Sequence, residues 1–178
     1  MKRLLLAILL LVTASHSTYS IEIDLVQYKY KDGRTLLELN YQMRAAKLLY
    51  QKDSNGAYIS NIEFNFVVSS AGVENINNSW LYSYTKSSND STLTIFDKKY
   101  FSLFPGQYNF NFSAKIAGNN FSNITGTIIV RDFSKSTVTM SDILLAHQLD
   151  DFDTLSNNEL FKKHKLYVIP NIEHTING

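Results

Sequence analysis

Ile21-Glu22-Ile23-Asp24-Leu25-Val26-Gln27-Tyr28-Lys29-Tyr30, then Lys31-Asp32-Gly33-Arg34, then Thr35-Leu36-Leu37-Glu38-Leu39-Asn40-Tyr41-Gln42-Met43: this stretch decides the fold. Ile21, Ile23 and Leu25 alternate with Glu22, Asp24 and Val26, and Tyr28 and Tyr30 continue on the other parity. Leu37, Leu39, Tyr41 and Met43 alternate with Glu38, Asn40 and Gln42. A period of two sends successive side chains to opposite faces of a strand, whereas one face of a helix repeats about every 3.6 residues. Two such runs joined through Asp32-Gly33 predict a β-hairpin. Gly33 supplies the positive φ that the turn needs, because no Cβ opposes it.

The same pattern extends downstream. A short strand is expected over 48–51, with Asp53-Ser54-Asn55-Gly56 as the turn after it. Ile62, Phe64, Phe66 and Val68 alternate with Glu63, Asn65 and Val67, and Ser70-Ala71-Gly72 closes that run. Trp80, Tyr82 and Tyr84 line one face of the next run, residues 87–90 read as a polar turn, and 92–96 resume the pattern. Tyr108, Phe110 and Phe112 alternate with Asn109, Asn111 and Ser113 after Phe104-Pro105-Gly106-Gln107. A Pro-Gly turn feeding a strand that starts with Tyr resembles the tyrosine corner of immunoglobulin-like sandwiches. Gly118-Asn119-Asn120 turns the chain again, and Ile124, Gly126, Ile128 and Val130 give the returning strand. About seven short strands with turns between them predict an all-β, antiparallel, immunoglobulin-like β-sandwich over residues 21–133. The one helix expected is short, over 141–149, with Ser141 or Asp142 as its N-cap.

Near Asp132 the composition shifts. Residues 134–178 read as a linker and a strand extension, with an acidic patch at Asp150, Asp151 and Asp153. Leu166-Tyr167-Val168-Ile169 is the last apolar run and stops at Pro170. That ending reads as the entrance to a second domain.

Upstream, Lys2 and Arg3 precede nine apolar residues, 4–12, and a small-residue polar stretch follows to Ser20. This order is that of a secretory signal peptide, so 1–20 is expected to be removed on export. The apolar run is about half the ~20 residues that a spanning helix needs, and no later stretch comes close. The expected mature chain therefore has no transmembrane span and is periplasmic or extracellular. About 160 residues then remain, enough for one domain with its own core. Cysteine is absent, which removes disulfides, thiol catalysis and thiolate metal sites. The net charge is +1 with no basic stretch, so no nucleic-acid partner is expected. Five Asn-x-Ser/Thr triplets, at Asn77, Asn89, Asn111, Asn120 and Asn123, occur in a chain with 17 Asn, where chance alone produces such triplets.

Three features in order resemble the N-terminal half of bacterial exported proteins that carry a GWxTD domain. They are the strand pair Ile21 to Met43 turning at Asp32-Gly33-Arg34, then Phe104-Pro105-Gly106-Gln107-Tyr108 with its following strand, and last Val138-Thr139-Met140-Ser141-Asp142-Ile143-Leu144-Leu145-Ala146 followed by Leu166-Tyr167-Val168-Ile169-Pro170-Asn171. The resemblance covers almost all of the expected mature chain. It implies export and a β-rich architecture, and it implies no reaction. The chain has no Gly-Trp-x-Thr-Asp; its single Trp, Trp80, stands in Asn78-Ser79-Trp80-Leu81. The likeness is thus to a truncated version.

Candidate chemistry is sparse. His147 stands near Asp150, Asp151 and Asp153, but a working acid–base site needs groups that converge within hydrogen-bond reach. These residues are expected to form a solvated acidic patch. His147, His164 and His174 lack the spacing of a zinc site, and Asp151-x-Asp153 lacks the Gly and distal Glu of a calcium loop. Glu22, Asp24, Glu38 and Glu63 occupy the polar parity of their strands and are expected to face solvent. Trp80, Tyr82 and Tyr84 are the candidate ligand-binding residues, as a stacking platform for carbohydrate. Three aromatics at period two are more simply one core-facing stripe. The expected function is therefore that of a non-enzymatic, exported module with no cofactor. It would bind another envelope protein through an exposed sheet edge or through the tail 132–178. The alternative is a carbohydrate-binding module with that aromatic face.

Overall fold

A computed structural model describes residues 21–71, 76–87, 92–134, 140–151, 162–163 and 166–172. The expected signal peptide 1–20, Gly72, the turn residues 88–90 with Asn89, residues 135–139, Asp153, His164 and His174 lie outside the described residues.

The predicted hairpin is β1 (Glu22–Lys29) and β2 (Thr35–Arg44), paired antiparallel from Glu22↔Gln42 to Lys29↔Thr35. At the turn the amide of Arg34 donates to the carbonyl of Lys31, 3.1 Å away, and Asp32 and Gly33 have φ of 56° and 69°. Two left-handed central residues give a turn whose twist matches that of the flanking strands. Asp tolerates this conformation because its short polar side chain bonds locally.

A single 3-10 turn, Ala45–Lys47, leads into β3 (Gln51–Lys52), β4 (Tyr58–Ser69), β5 (Ile76–Thr85), β6 (Thr94–Leu103), β7 (Gly106–Ile116) and β8 (Asn119–Val130). The strand expected over 48–51 is thus displaced to Gln51–Lys52. The amide of Ala45 is drawn to the carbonyl of Leu93 and that of Leu48 to Ala45, so the chain turns here instead of extending.

The first sheet has the order β1-β2-β6, with β2 central. In the second, β5 and β7 flank β4 on opposite edges, β8 lies outside β7, and β3 adds two pairs to β4. Three long strands packed on four make the predicted immunoglobulin-like sandwich. Leu37, Leu39, Tyr41 and Met43 of β2 meet Ile62, Phe64, Phe66 and Val68 of β4 and Phe112, Ala114 and Ile116 of β7, all buried. Each fully buried apolar side chain contributes about 1.5–3 kcal/mol, so this interdigitation is the main source of stability. The corner reading also holds: the hydroxyl of Tyr108, a core residue, donates to the carbonyl of Phe104 at 3.0 Å.

The tail forms a third, small sheet in the order β10-β11-β9, from β9 (Ala146–Asp151), β10 (Lys162–Lys163) and β11 (Leu166–Pro170). No helix forms over 141–149. Residues 141–145 carry no regular structure, and 146–151 pair with β11, with an irregularity at Ile169/Pro170 where proline cannot donate to the ladder. Asp142, expected as a helix cap, instead places its carboxylate on the first sheet. It accepts the amide of Gln27 at 2.7 Å, its own amide donates back to the Gln27 carbonyl at 3.0 Å, and it pairs with Arg131 at 2.5 Å.

Candidate functional site

Each edge of the sandwich is built differently. On one side β1 lies next to the end of β8, and Gln27 joins them. Its amide nitrogen donates to the carbonyl of Ile129 at 3.0 Å and its amide oxygen accepts the N–H of Arg131 at 2.9 Å. With Asp142 on the backbone of Gln27, that side is closed by the chain itself.

On the other side, between β5 and β6, the sheets are tied by a polar chain inside an aromatic shell. β6 continues inward as Ile95, Asp97, Lys99, Phe101 and Leu103, cross-strand from Met43, Tyr41, Leu39, Leu37 and Thr35. Asp97 is 8% exposed. Its carboxylate accepts the hydroxyl of Tyr41 and, at 2.8 Å, the backbone N–H of Lys98. The Tyr41 oxygen accepts the indole N–H of Trp80 at 2.9 Å. Burial, and then the Asp97 charge, hold the Tyr41 phenol far above its ordinary range, and the same two causes raise that of Tyr82. Tyr41 therefore stays a neutral donor, and Asp97 keeps two hydrogen bonds that offset its desolvation.

Trp80, Tyr82 and Tyr84 stand opposite Phe64, Ile62 and Ser60 on β4 and pack against the margin of the core. The Trp80 ring stacks on Phe64 with centroids 5.5 Å apart, and the Lys99 ammonium lies 5.6 Å over it. Tyr84 sits 6.4 Å from Tyr50. The three rings share one face of β5, as their spacing requires. That face is directed between the sheets.

Of the four carboxylates expected to face solvent, Glu63 is exposed, Glu22 and Asp24 are half-buried and Glu38 is buried. Glu22, Asp24 and Glu38 lie on the outer face of the first sheet and Glu63 on that of the second, so the four do not meet. Glu38, expected in solvent, is 1% exposed. It sits on the central strand with Val26 and Tyr100 opposite it, and both Tyr28 and Tyr100 feel its charge. Long neighbours on both flanking strands cover a short-range polar position that an edge strand would expose. His147, Asp150 and Asp151 fall on β9. Among the described residues, no three His, Asp or Glu side chains gather closely enough to hold a metal ion, and no helix is long and apolar enough to cross a membrane.

Sequence reading missed Asp97, Lys99 and Tyr41 as a group. The signal was present: extending the strand at 92–96 by two periods puts Asp97 and Lys99 on the apolar parity of Leu93 and Ile95, an arrangement that a buried strand tolerates only with partners.

Outside this face, an open groove of about 530 Å³ runs over Glu63, Asn65, Ser79, Leu81, Ser113 and Lys115. Asn65 donates to Asn77 at 2.9 Å and to Ser79 at 2.8 Å, and Ser83 donates to Asn61 at 2.7 Å. This side-chain ladder holds β5 flat against β4. No family model, no curated protein and no solved structure matches the chain significantly.

Proposed function

We propose that this chain is an exported module of the bacterial cell envelope that works by binding protein, as a structural or assembly component. One observation carries the reading: β5 is a ten-residue edge strand, Ile76 to Thr85, with no charged residue and no proline. Edge strands present unpaired N–H and C=O groups, and chains that do not use them blunt them with charge, proline or cover. The other edges show such devices. β6 carries Asp97 and Lys99 inward, β1 is capped by Asp142, and the end of β8 is taken by Gln27. The apolar N-terminal run and the likeness to GWxTD-domain exported proteins support a periplasmic or extracellular setting.

The carbohydrate reading asks Trp80, Tyr82 and Tyr84 to offer ring faces to a sugar. The Trp80 ring already stacks on Phe64 and lies under the Lys99 ammonium, which favours the protein-binding reading. The test is capture from an envelope extract with the purified chain and its Leu81→Lys variant. A partner retained by the natural chain and lost by the variant supports the proposal. Equal capture by both, or no capture by either from a chain that is also strictly monomeric, overturns it.

A further inference from the structure

We infer that β5 is a self-pairing edge: two copies of this chain join β5 to β5 antiparallel about a two-fold axis, with Leu81 facing Leu81 of the second copy. The inference rests on the protein-binding reading above and names its partner. Leu81 is 62% exposed in the middle of the strand, on the outer face, and the described residues of the same chain leave it uncovered.

The strand is complementary to itself in one register. When residue numbers in each pair sum to that of the Leu81–Leu81 pair, Ser79 meets Ser83 and Asn77 meets Thr85 on the outer face, and Trp80 meets Tyr82 on the inner face. Apolar then faces apolar, hydroxyl faces hydroxyl, amide faces hydroxyl, and ring faces ring. These are the cross-strand combinations that stabilise an antiparallel pair, and no like charges oppose each other. A shift by two places Leu81 against Ser79 or Ser83 and loses the apolar match. A shift by one is barred because it sets outward residues against inward ones. The contact is isologous, so it closes at two copies and does not propagate into a fibre. It turns two five-stranded sheets into one of ten. One strand pair is a small contact, so association belongs to the weak, reversible class.

The absence of cysteine makes the test direct. Directly opposed residues in an antiparallel pair have Cα atoms about 4.5–5.5 Å apart, within the range of a disulfide. Under mild oxidation, Leu81→Cys is expected to give a covalent dimer, while Ile129→Cys, 69% exposed on β8, stays monomeric. Sedimentation of the natural chain at tens of micromolar is expected to show a monomer–dimer equilibrium, weakened at least tenfold by Leu81→Lys. Because Leu81 is exposed, its variants should fold as the natural chain does, and circular dichroism checks this. A strictly monomeric natural chain, or equal cross-linking through both cysteines, overturns the inference. A monomer that still captures a foreign partner through Leu81 sinks self-pairing alone. A monomer that captures nothing sinks the protein-binding reading as well.

Discussion

The indole N–H of Trp80 donates to the hydroxyl oxygen of Tyr41 at 2.9 Å, and that hydroxyl gives its own proton to Asp97. One oxygen thus couples β5, β2 and β6, three strands drawn from both sheets. Tyr41→Phe keeps the ring packing but strands two polar groups, the indole N–H and a carboxylate oxygen of Asp97. Leaving a buried group unpaired costs about 1–3 kcal/mol, and more for a charged one, so the variant should lose roughly 2–4 kcal/mol. Urea unfolding followed by the fluorescence of the single Trp measures this directly. A loss below about 0.5 kcal/mol would mean that water reaches Asp97 and replaces the hydroxyl.

Alkaline sensitivity follows from the same burial. Tyr28, Tyr41, Tyr82 and Tyr100 all have phenols raised from 10.0, each first by burial and then by a neighbouring carboxylate: Glu38 for Tyr28 and Tyr100, Asp97 for Tyr41 and Tyr82. A raised folded-state value means that the native chain holds protons which the unfolded chain has released. Stability is therefore intact below about pH 10 and falls above it, by up to about 1.4 kcal/mol per pH unit for a fully buried group such as Tyr41. Tyr100 is 48% exposed, and its contribution is correspondingly screened. Unfolding measured at pH 8 and pH 11 should differ, and Tyr41→Phe should reduce the difference. Equal stability at both pH values would refute the burial of these phenols.

Legibility differed between the two faces of each strand. The inward parity of β2, β4 and β7 could be read from Leu37 through Phe112 because apolar periodicity and burial have the same cause. The hairpin turn and the Tyr108 corner were legible as well, since Asp32-Gly33 and Pro105-Gly106 admit few conformations. Outward parity misled at Glu38, because whether a polar side chain reaches water depends on strand order, and order is set by long-range pairing. The tail misled for a related reason. Residues 141–149 contain good helix formers, yet β11 offers them a ladder that only the folded chain supplies. The Tyr41–Asp97–Trp80 chain needed two strand registers at once, which no local pattern encodes.

Packing inside the second sheet makes a sharper claim about one glycine. Gly126 on β8 is cross-strand from Phe110, and a Cβ built there would lie 2.8 Å from the phenyl ring. The ring therefore lies over the glycine and shields backbone that has no side chain of its own. Gly126→Ala pushes the ring off, and its displacement should cost about 1–3 kcal/mol despite the better strand propensity of alanine. The double variant with Phe110→Leu should recover part of that loss. Simple additivity of the two single effects would show that the ring and the glycine do not touch.

Gln27, Arg131 and Asp142 make the last claim, that the tail is latched to the sandwich by hydrogen bonds more than by charge. The Arg131–Asp142 pair is exposed on both sides, at 42% and 32%, and such a pair contributes at most about 1 kcal/mol. Asp142 also accepts the backbone N–H of Gln27, the edge group of β1 that would otherwise lack a protein partner at that position. Asp142→Asn retains an oxygen acceptor and removes the charge, so it should behave nearly as the natural chain. Asp142→Ala removes the acceptor, and amide exchange should quicken at Gln27 and across β9 while the core of β2 and β4 stays protected. Gln27→Ala keeps the backbone groups that Asp142 holds but releases Ile129 and Arg131, so it should loosen the seam between the two sheets and leave the Asp142 contact in place. If Asp142→Asn and Asp142→Ala loosen β9 equally, the ion pair is the latch and the backbone contact is incidental.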